Sequence, residues 1–151
     1  MYRHQLPNCP LEQRTYERFA KRSGTPAEPD EVIDMTFTKR NAADHGFNLW
    51  AINDTVFSSD SAYHLRQGKR YRLRMHNASD DIHPIHLHRH SFELTKLAGI
   101  PSRGIMKDVV MVGGYQEVEV DFTADNPGLT LFHCHQQLHM DFGFMALFDY
   151  V

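Results

Sequence analysis

Residues 133–139 read His133-Cys134-His135-Gln136-Gln137-Leu138-His139, and this run is the most informative part of the 151-residue chain. Fifty residues upstream, residues 83–88 read His83-Pro84-Ile85-His86-Leu87-His88 and supply three further histidines. Together the two runs hold six imidazoles and one thiol. A thiolate with two histidines and one weak axial neighbour is the ligand set of an electron-transfer copper, and the surplus histidines then need a second metal centre.

Strand alternation divides these side chains between two faces. Successive side chains of a strand point to opposite sides, so Cys134 is expected on one face and its neighbours His133 and His135 on the other. If residues 83–88 are also extended, His86 and His88 share a face and can meet that second pair. His83 then faces Cys134, and His139 follows the strand closely enough to turn back and complete a trio with them.

Two other interpretations compete with copper. Histidine-rich tracts can bind metals incidentally. Zinc also accepts cysteine and histidine, but structural zinc sites usually bring two or more cysteines at close spacing, and only Cys134 lies near any histidine here. The donor set therefore favours copper.

The two runs are similar to the copper motifs of a known family. HPIHLH at residues 83–88 and HCHQQLHMDFGF at residues 133–144 resemble those in the last domain of multicopper oxidases, the family of laccases and ascorbate oxidase. The resemblance extends to residues 48–53, 70–74, 107–110 and 126–128, and covers about residues 32–151.

This resemblance implies a role for each ligand and a reaction. It makes His83, Cys134 and His139 the ligands of a type 1 copper, with Phe144 in the axial position, assigns His86 to the type 2 copper, and assigns His88, His133 and His135 to the type 3 pair. It further implies that electrons from a small reducing substrate, such as a phenol or a metal ion, enter by way of His139 and Cys134. They would then pass to a trinuclear copper site that reduces dioxygen to water.

The chain also departs from the family pattern. In the family, the cluster takes further histidines from two His-x-His pairs of the first domain. The histidines upstream of residue 83 here do not form that spacing: His4, His45, His64 and His76. We therefore expect a complete type 1 site and half of a trinuclear site, completed by another domain, chain or subunit. A homotrimer is a weaker option. The alternative function is a stand-alone blue-copper electron-transfer protein. Arg89, where the family usually has glycine, puts close packing beside the cluster in question.

Composition and charge bound the remaining possibilities. The length suits one domain with a sizeable core, and a net charge of −3 gives no argument for nucleic-acid or membrane-surface binding. No apolar run is long enough for a membrane helix, and the first twenty residues lack the apolar segment of a signal peptide. The localisation therefore stays open, although the resemblance implies a periplasmic or extracellular protein. We expect Cys9 to be a free thiol or an intermolecular partner.

The order of turn and strand signals predicts an all-β fold. Residues 1–31 are expected to form a short N-terminal helix and a linker, followed by one domain at residues 32–151. Short alternating segments separated by turns are typical of a β-sandwich or small barrel, and the resemblance implies a Greek-key sandwich or barrel of the cupredoxin type. The predicted strands are residues 32–40, 47–53, 69–77, 83–88, 92–100, 107–112, 117–124, 129–135 and 144–150.

Overall fold

The computed structural model describes residues 27–151, apart from the side chains of residues 43 and 44, and these residues form two packed β-sheets. Their strands are β1 (Glu31–Asp44), β2 (Phe47–Ile52), β3 (Ala62–Leu65), β4 (Arg70–Asn77), β5 (His83–Leu87), β6 (Phe92–Leu97), β7 (Ile100–Lys107), β8 (Val109–Val112), β9 (Glu117–Thr123), β10 (Thr130–Cys134) and β11 (Met145–Tyr150). Helix α1 (Gln137–Asp141) lies between the last two strands. The predicted cupredoxin-type β-sandwich is confirmed.

Two predictions concern the N-terminal part of the chain. The helix expected within residues 1–31, most of its linker, and Cys9 lie outside the described residues, so the division at residue 31 stays a prediction. Within residues 27–151, no helix is long and apolar enough to cross a membrane.

Each sheet is mixed. The six-stranded sheet has the order β2-β1-β4-β9-β6-β7, with β1 and β4 parallel. The five-stranded sheet has the order β3-β11-β10-β5-β8, with β3 and β11 parallel. The two histidine runs therefore lie on neighbouring antiparallel strands, since β10 pairs with β5 and His133 faces His86 in the register.

The core lies between the sheets and is rich in aromatic side chains. The alternation of side chains along each strand places apolar residues in this core. In β9, for example, Val118, Val120 and Phe122 point inward. The largest fully buried side chains include Phe37, Trp50, Tyr71, Phe92, Phe122, Phe132, Phe144 and Phe148. Several of them surround the site described below.

The outer face of the six-stranded sheet carries a network of ion pairs. The arginines of β4 lie against carboxylates of the neighbouring strands. Arg72 binds Asp121 through two hydrogen bonds of 2.7 and 3.0 Å, and Arg70 bridges Asp121 and Glu93. The Asp121 carboxylate is fully shielded from solvent by these contacts. Bidentate, partly buried pairs hold their geometry better than isolated surface pairs.

The structure has two strands that the sequence pattern missed. β3 is a four-residue edge strand, too short to show a clear alternation. The predicted strand at residues 92–100 is instead a hairpin of β6 and β7, turning at Ala98 and Gly99, which have φ angles of 48° and 80°. β7 was missed because it contains Pro101 and Gly104, which are uncommon inside strands. Proline is tolerated there because β7 is an edge strand.

Candidate metal centre

Helix α1 returns His139 to the strand that precedes it. The predicted turn after residue 135 is a single helical turn, in which the Met140 backbone N–H donates to the Gln136 carbonyl at 3.1 Å. The chain then bends at Gly143, whose φ angle is 102° and whose missing side chain leaves room for Val56 and the Trp50 carbonyl. His139 therefore lies beside the end of β10 rather than in solvent.

The structure brings together His83, Cys134 and His139. Sγ of Cys134 lies 3.8 Å from Nδ1 of His83 and 3.6 Å from Nδ1 of His139, and the two nitrogens are 3.1 Å apart. Among the described residues, this is the one group in which three or more His, Cys, Asp or Glu donor atoms all lie within 4.8 Å of one another. His83 and Cys134 are buried, and His139 is half-buried.

The separations fit a single three-coordinate metal ion. Bonds of about 2.0 Å to nitrogen and 2.3 Å to sulfur, in a planar trigonal arrangement, give donor separations of about 3.5 Å and 3.7 Å. A structural zinc ion needs a fourth strong donor, whereas the neighbouring buried side chain is Phe144, which has none. Three soft donors without a strong fourth one suit copper.

Burial sets the protonation of the three donors. It lowers the pKa of His83 to about 4, and the nearby His139 adds to this effect. Burial also lowers the pKa of His139 and raises that of the Cys134 thiol to about 11. At neutral pH both imidazoles are therefore neutral and can donate a lone pair, whereas the thiol keeps its proton until a metal displaces it.

An aromatic wall encloses the trio. The Phe144 ring lies 4.7 Å from the His83 ring, and the Trp50 ring lies 4.1 Å from the His139 ring and 4.8 Å from that of His83. Phe37 closes the wall behind Phe144, at 4.8 Å between ring centroids. Met145, in contrast, lines a separate surface cavity with Tyr63 and Ala146.

The other four histidines gather on the opposite face of the same sheet. His86 lies 4.9 Å from His88, 5.7 Å from His133 and 5.1 Å from His135 between ring centroids. Nε2 of His88 and Nε2 of His133 are 2.9 Å apart. The quartet is more open than the trio, since His88 and His135 are exposed.

Backbone carbonyls orient two members of this quartet. Nδ1 of His86 donates to the Asp108 carbonyl at 2.6 Å, and Nδ1 of His133 donates to the Cys134 carbonyl at 2.9 Å. Each ring therefore keeps Nε2 unprotonated and available to a metal.

His90 does not belong to the quartet. Its Nδ1 lies 3.0 Å from the His88 carbonyl and its Nε2 lies 2.7 Å from the Tyr150 hydroxyl. His90 is buried, and these two contacts hold the chain just after β5.

Arg89 takes a conformation that favours glycine and uses its side chain elsewhere. Its φ angle is 63°. The guanidinium donates to the Asn126 side chain and to the Pro127 carbonyl, both at 2.7 Å. The expected packing problem at this position is thus offset by contacts with a distant turn.

Sequence reasoning did not assign several residues that adjoin the trio. Trp50 was quoted only as part of the resemblance, and Asn77, Ser79 and Lys39 were not singled out. Lys39 lies over the Trp50 ring at 5.6 Å and forms ion pairs with Asp80 and Asp81. These ion pairs hold the two aspartates close to the strand that carries His83. The two-residue alternation along a strand cannot reveal such contacts, because the residues lie on separate strands and loops.

Comparison with known proteins identifies relatives of the chain. The model of the multicopper oxidase family matches residues 24–151. A multicopper oxidase of Mycobacterium tuberculosis is 38% identical over 102 residues, which are 68% of this chain and 20% of that protein. Laccase-4 of Trametes villosa is 38% identical over 78 residues, or 48% of this chain and 15% of the laccase.

Solved structures show the same fold. The crystal structure of Fet3p, a multicopper oxidase that functions in iron import, superposes with a TM-score of 0.72 at 21% identity, covering 82% of this chain and 32% of that one. The blue copper oxidase from Nitrosomonas europaea gives a TM-score of 0.68 at 24% identity, covering 79% of this chain and 43% of that one. The chain thus spans less than half of each of these relatives.

Three findings agree with one another. The fold is a cupredoxin-type sandwich, a cysteine and two histidines are placed to bind one metal ion, and the family model matches most of the sequence. The chain belongs to the multicopper oxidase family, whose cofactor is copper.

Proposed function

We propose that this chain is the domain of a multicopper oxidase that carries the type 1 copper and half of the trinuclear site. His83, Cys134 and His139 would hold the type 1 copper, and Phe144 would stand in the place of a weak fourth donor. His86 would serve the type 2 copper, and His88, His133 and His135 would serve the type 3 pair. The observation that supports this most strongly is the donor trio, with separations of 3.1–3.8 Å, placed back to back with the histidine quartet.

Copper bound at these ligands would supply one-electron oxidation of a reducing substrate and, at a completed cluster, reduction of dioxygen to water. The chain itself provides the connection between the two sites. Cys134 is covalently joined to His133 and His135, and the three side chains leave the strand on opposite faces. The electron therefore has a short, continuous bonded path from the thiolate to the quartet.

The histidine quartet requires a partner that supplies further ligands. In β-sheet register with the quartet, the same outer face carries Leu131, Leu147, Met145 and Val109, all half-buried, and Met111, which is 52% exposed. A metal cluster bordered by apolar side chains is typical of a surface that another protein unit covers. We therefore propose that a second cupredoxin-like domain or subunit with paired histidines docks here.

A blue-copper carrier without oxidase activity is the competing function. Such a carrier would need only the trio, which binds a single copper. The carbonyl-oriented rings of His86 and His133 favour the oxidase, since a carrier gains nothing from them.

Metal content and optical absorption test the proposal. The copper-loaded chain should show the intense blue thiolate-to-copper absorption, and Cys134→Ser should abolish it. A matched His88→Asn variant should keep the blue absorption, because His88 lies on the other face. If the colour survives in Cys134→Ser, the ligand assignment is wrong.

A further inference from the structure

A buried polar chain leads from Asn77 to His83 behind the donor trio. Asn77, Ser79 and His83 are each at most 3% exposed. Oδ1 of Asn77 lies 2.8 Å from Oγ of Ser79, and Oγ lies 3.1 Å from Nε2 of His83. Buried polar groups of this kind cost free energy unless each is paired, so the direction of every hydrogen bond is constrained.

The orientation of the Asn77 amide is unambiguous. Its Nδ2 donates to the carbonyls of Asp81 and Gly113 at 2.7 and 3.0 Å, and its Oδ1 accepts from the Ser79 backbone N–H at 2.9 Å. The flipped amide would set oxygen against two carbonyls and nitrogen against an N–H. The network therefore permits one assignment.

The same assignment of donors and acceptors determines which nitrogen of His83 carries the proton. Because Oδ1 of Asn77 can only accept, the Ser79 hydroxyl must donate its hydrogen to it. Oγ of Ser79 is then left with lone pairs and accepts from His83, so the ring proton lies on Nε2. Nδ1, which lies 3.1 Å from Nδ1 of His139 and 3.8 Å from Sγ of Cys134, then carries the lone pair and can only accept.

We propose that Ser79, held by Asn77, is a positioning residue that fixes the Nε2–H tautomer of His83 and so presets Nδ1 as the metal-binding atom. This inference rests on the type 1 site proposed above. His86 and His133 are oriented by backbone carbonyls, which no side-chain substitution removes. His83 instead depends on a side-chain hydroxyl, so its tautomer can be altered by a single substitution.

Nitrogen-15 NMR of the imidazoles tests the tautomer in the copper-free chain at neutral pH. Wild type should carry the His83 proton on Nε2. Ser79→Ala leaves that N–H buried without an acceptor, so a population protonated on Nδ1 should appear. Ser79→Thr, which keeps the hydroxyl, should retain the wild-type tautomer, and Ser59→Ala, at an exposed serine, should change nothing.

Copper affinity provides the second measurement, by competition with a chelator. Ser79→Ala should bind copper about 10- to 100-fold more weakly than wild type, the usual effect of losing such a partner. Ser79→Thr should restore most of the affinity.

Two results would overturn the proposal. One is the finding that His83 of the wild type is protonated on Nδ1. This measurement does not depend on the folding of any variant. The other is a Ser79→Ala variant with the wild-type tautomer, even if its copper affinity falls, because the loss would then come from packing. The NMR measurement uses no copper, so it decides the role of Ser79 even if the copper-loaded wild type fails to turn blue, a result that would instead remove the type 1 assignment.

Discussion

We expect Phe144 to influence the redox potential of the proposed type 1 site. It is fully buried and packs against His83, and its ring offers no sulfur to a metal. Loss of an axial donor and enclosure by apolar surface both destabilise the divalent ion relative to the monovalent one, which raises the potential. We therefore expect a high-potential copper, and Phe144→Met should lower the midpoint measured by redox titration of the blue absorption.

Met145→Leu is the matched control for that prediction. Met145 faces the cavity beside Tyr63, so its loss should leave the midpoint potential unchanged. A shift in Met145→Leu, with none in Phe144→Met, would assign the axial position to the methionine.

His83 should make the copper-free protein sensitive to acid. Its pKa falls from an ordinary 6.5 to about 4 on folding, so between these values the unfolded state binds a proton that the folded state does not. Stability is thus lost as the pH falls through this window, by about 3 kcal/mol for His83 alone. Urea unfolding at a series of pH values measures it.

His83→Leu should remove this part of the pH dependence. His64→Leu, at an exposed histidine, should leave the slope as in wild type. An equal slope in wild type and in His83→Leu would show that other groups cause the loss of stability.

The grouping of His83, Cys134 and His139 could be predicted from the sequence, but the residues that surround them could not. Strand alternation separates Cys134 from His133 and His135 without knowledge of tertiary structure. Ser79 approaches the trio from a loop, and Trp50 approaches it from β2 of the other sheet. Their contacts depend on how the sheets pack, which no local period encodes.

At the level of elements, Arg89 braces the turn that leads into β10. A Cβ at Gly128 would lie 2.6 Å from Nη1 of Arg89, and the φ angle of Gly128 is 121°. Gly128→Ala should therefore destabilise the protein by about 1–3 kcal/mol through backbone strain and displacement of the arginine. Chemical denaturation gives the value.

Gly46→Ala separates the two causes. Gly46 also has a positive φ angle, 89°, but nothing lies within 4 Å of its added Cβ, so this variant reports backbone strain alone. It should be destabilised less than Gly128→Ala. Equal losses would show that Arg89 contributes nothing at the turn.

A strand with one polar and one apolar face is the easiest to predict from sequence. β9 alternates glutamates with valines and was located almost to the residue. β3 and β7 are both edge strands with weak alternation. A positive-φ turn at Ala98 precedes β7 without the usual Asn-Gly signal. Edge strands are set by their neighbours more than by their own pattern.

For the whole molecule, an isolated monomer should fail to reduce dioxygen to water efficiently. The described histidine quartet offers ligands from one side only, and the chain spans 20% of its mycobacterial relative. Oxygen uptake with a phenolic substrate, on a preparation shown to be monomeric, measures this. Laccase-level turnover by that monomer would contradict the half-site assignment.

Adding the missing ligands should restore the activity. A co-purified domain with two His-x-His pairs should raise both copper content and oxygen uptake, whereas the same domain with those pairs changed to asparagine should raise neither. Activation by both versions would point to a simple effect on folding.

The donor trio also bears on how fast an electron can move. The three donor atoms lie 3.1–3.8 Å apart before any metal is considered, and their rings are wedged among Phe37, Trp50 and Phe144. At the proposed type 1 site, we expect these donors to move little when a bound copper changes oxidation state, because any shift would displace the packed aromatic rings. Such a site would need only a small reorganisation energy for electron transfer.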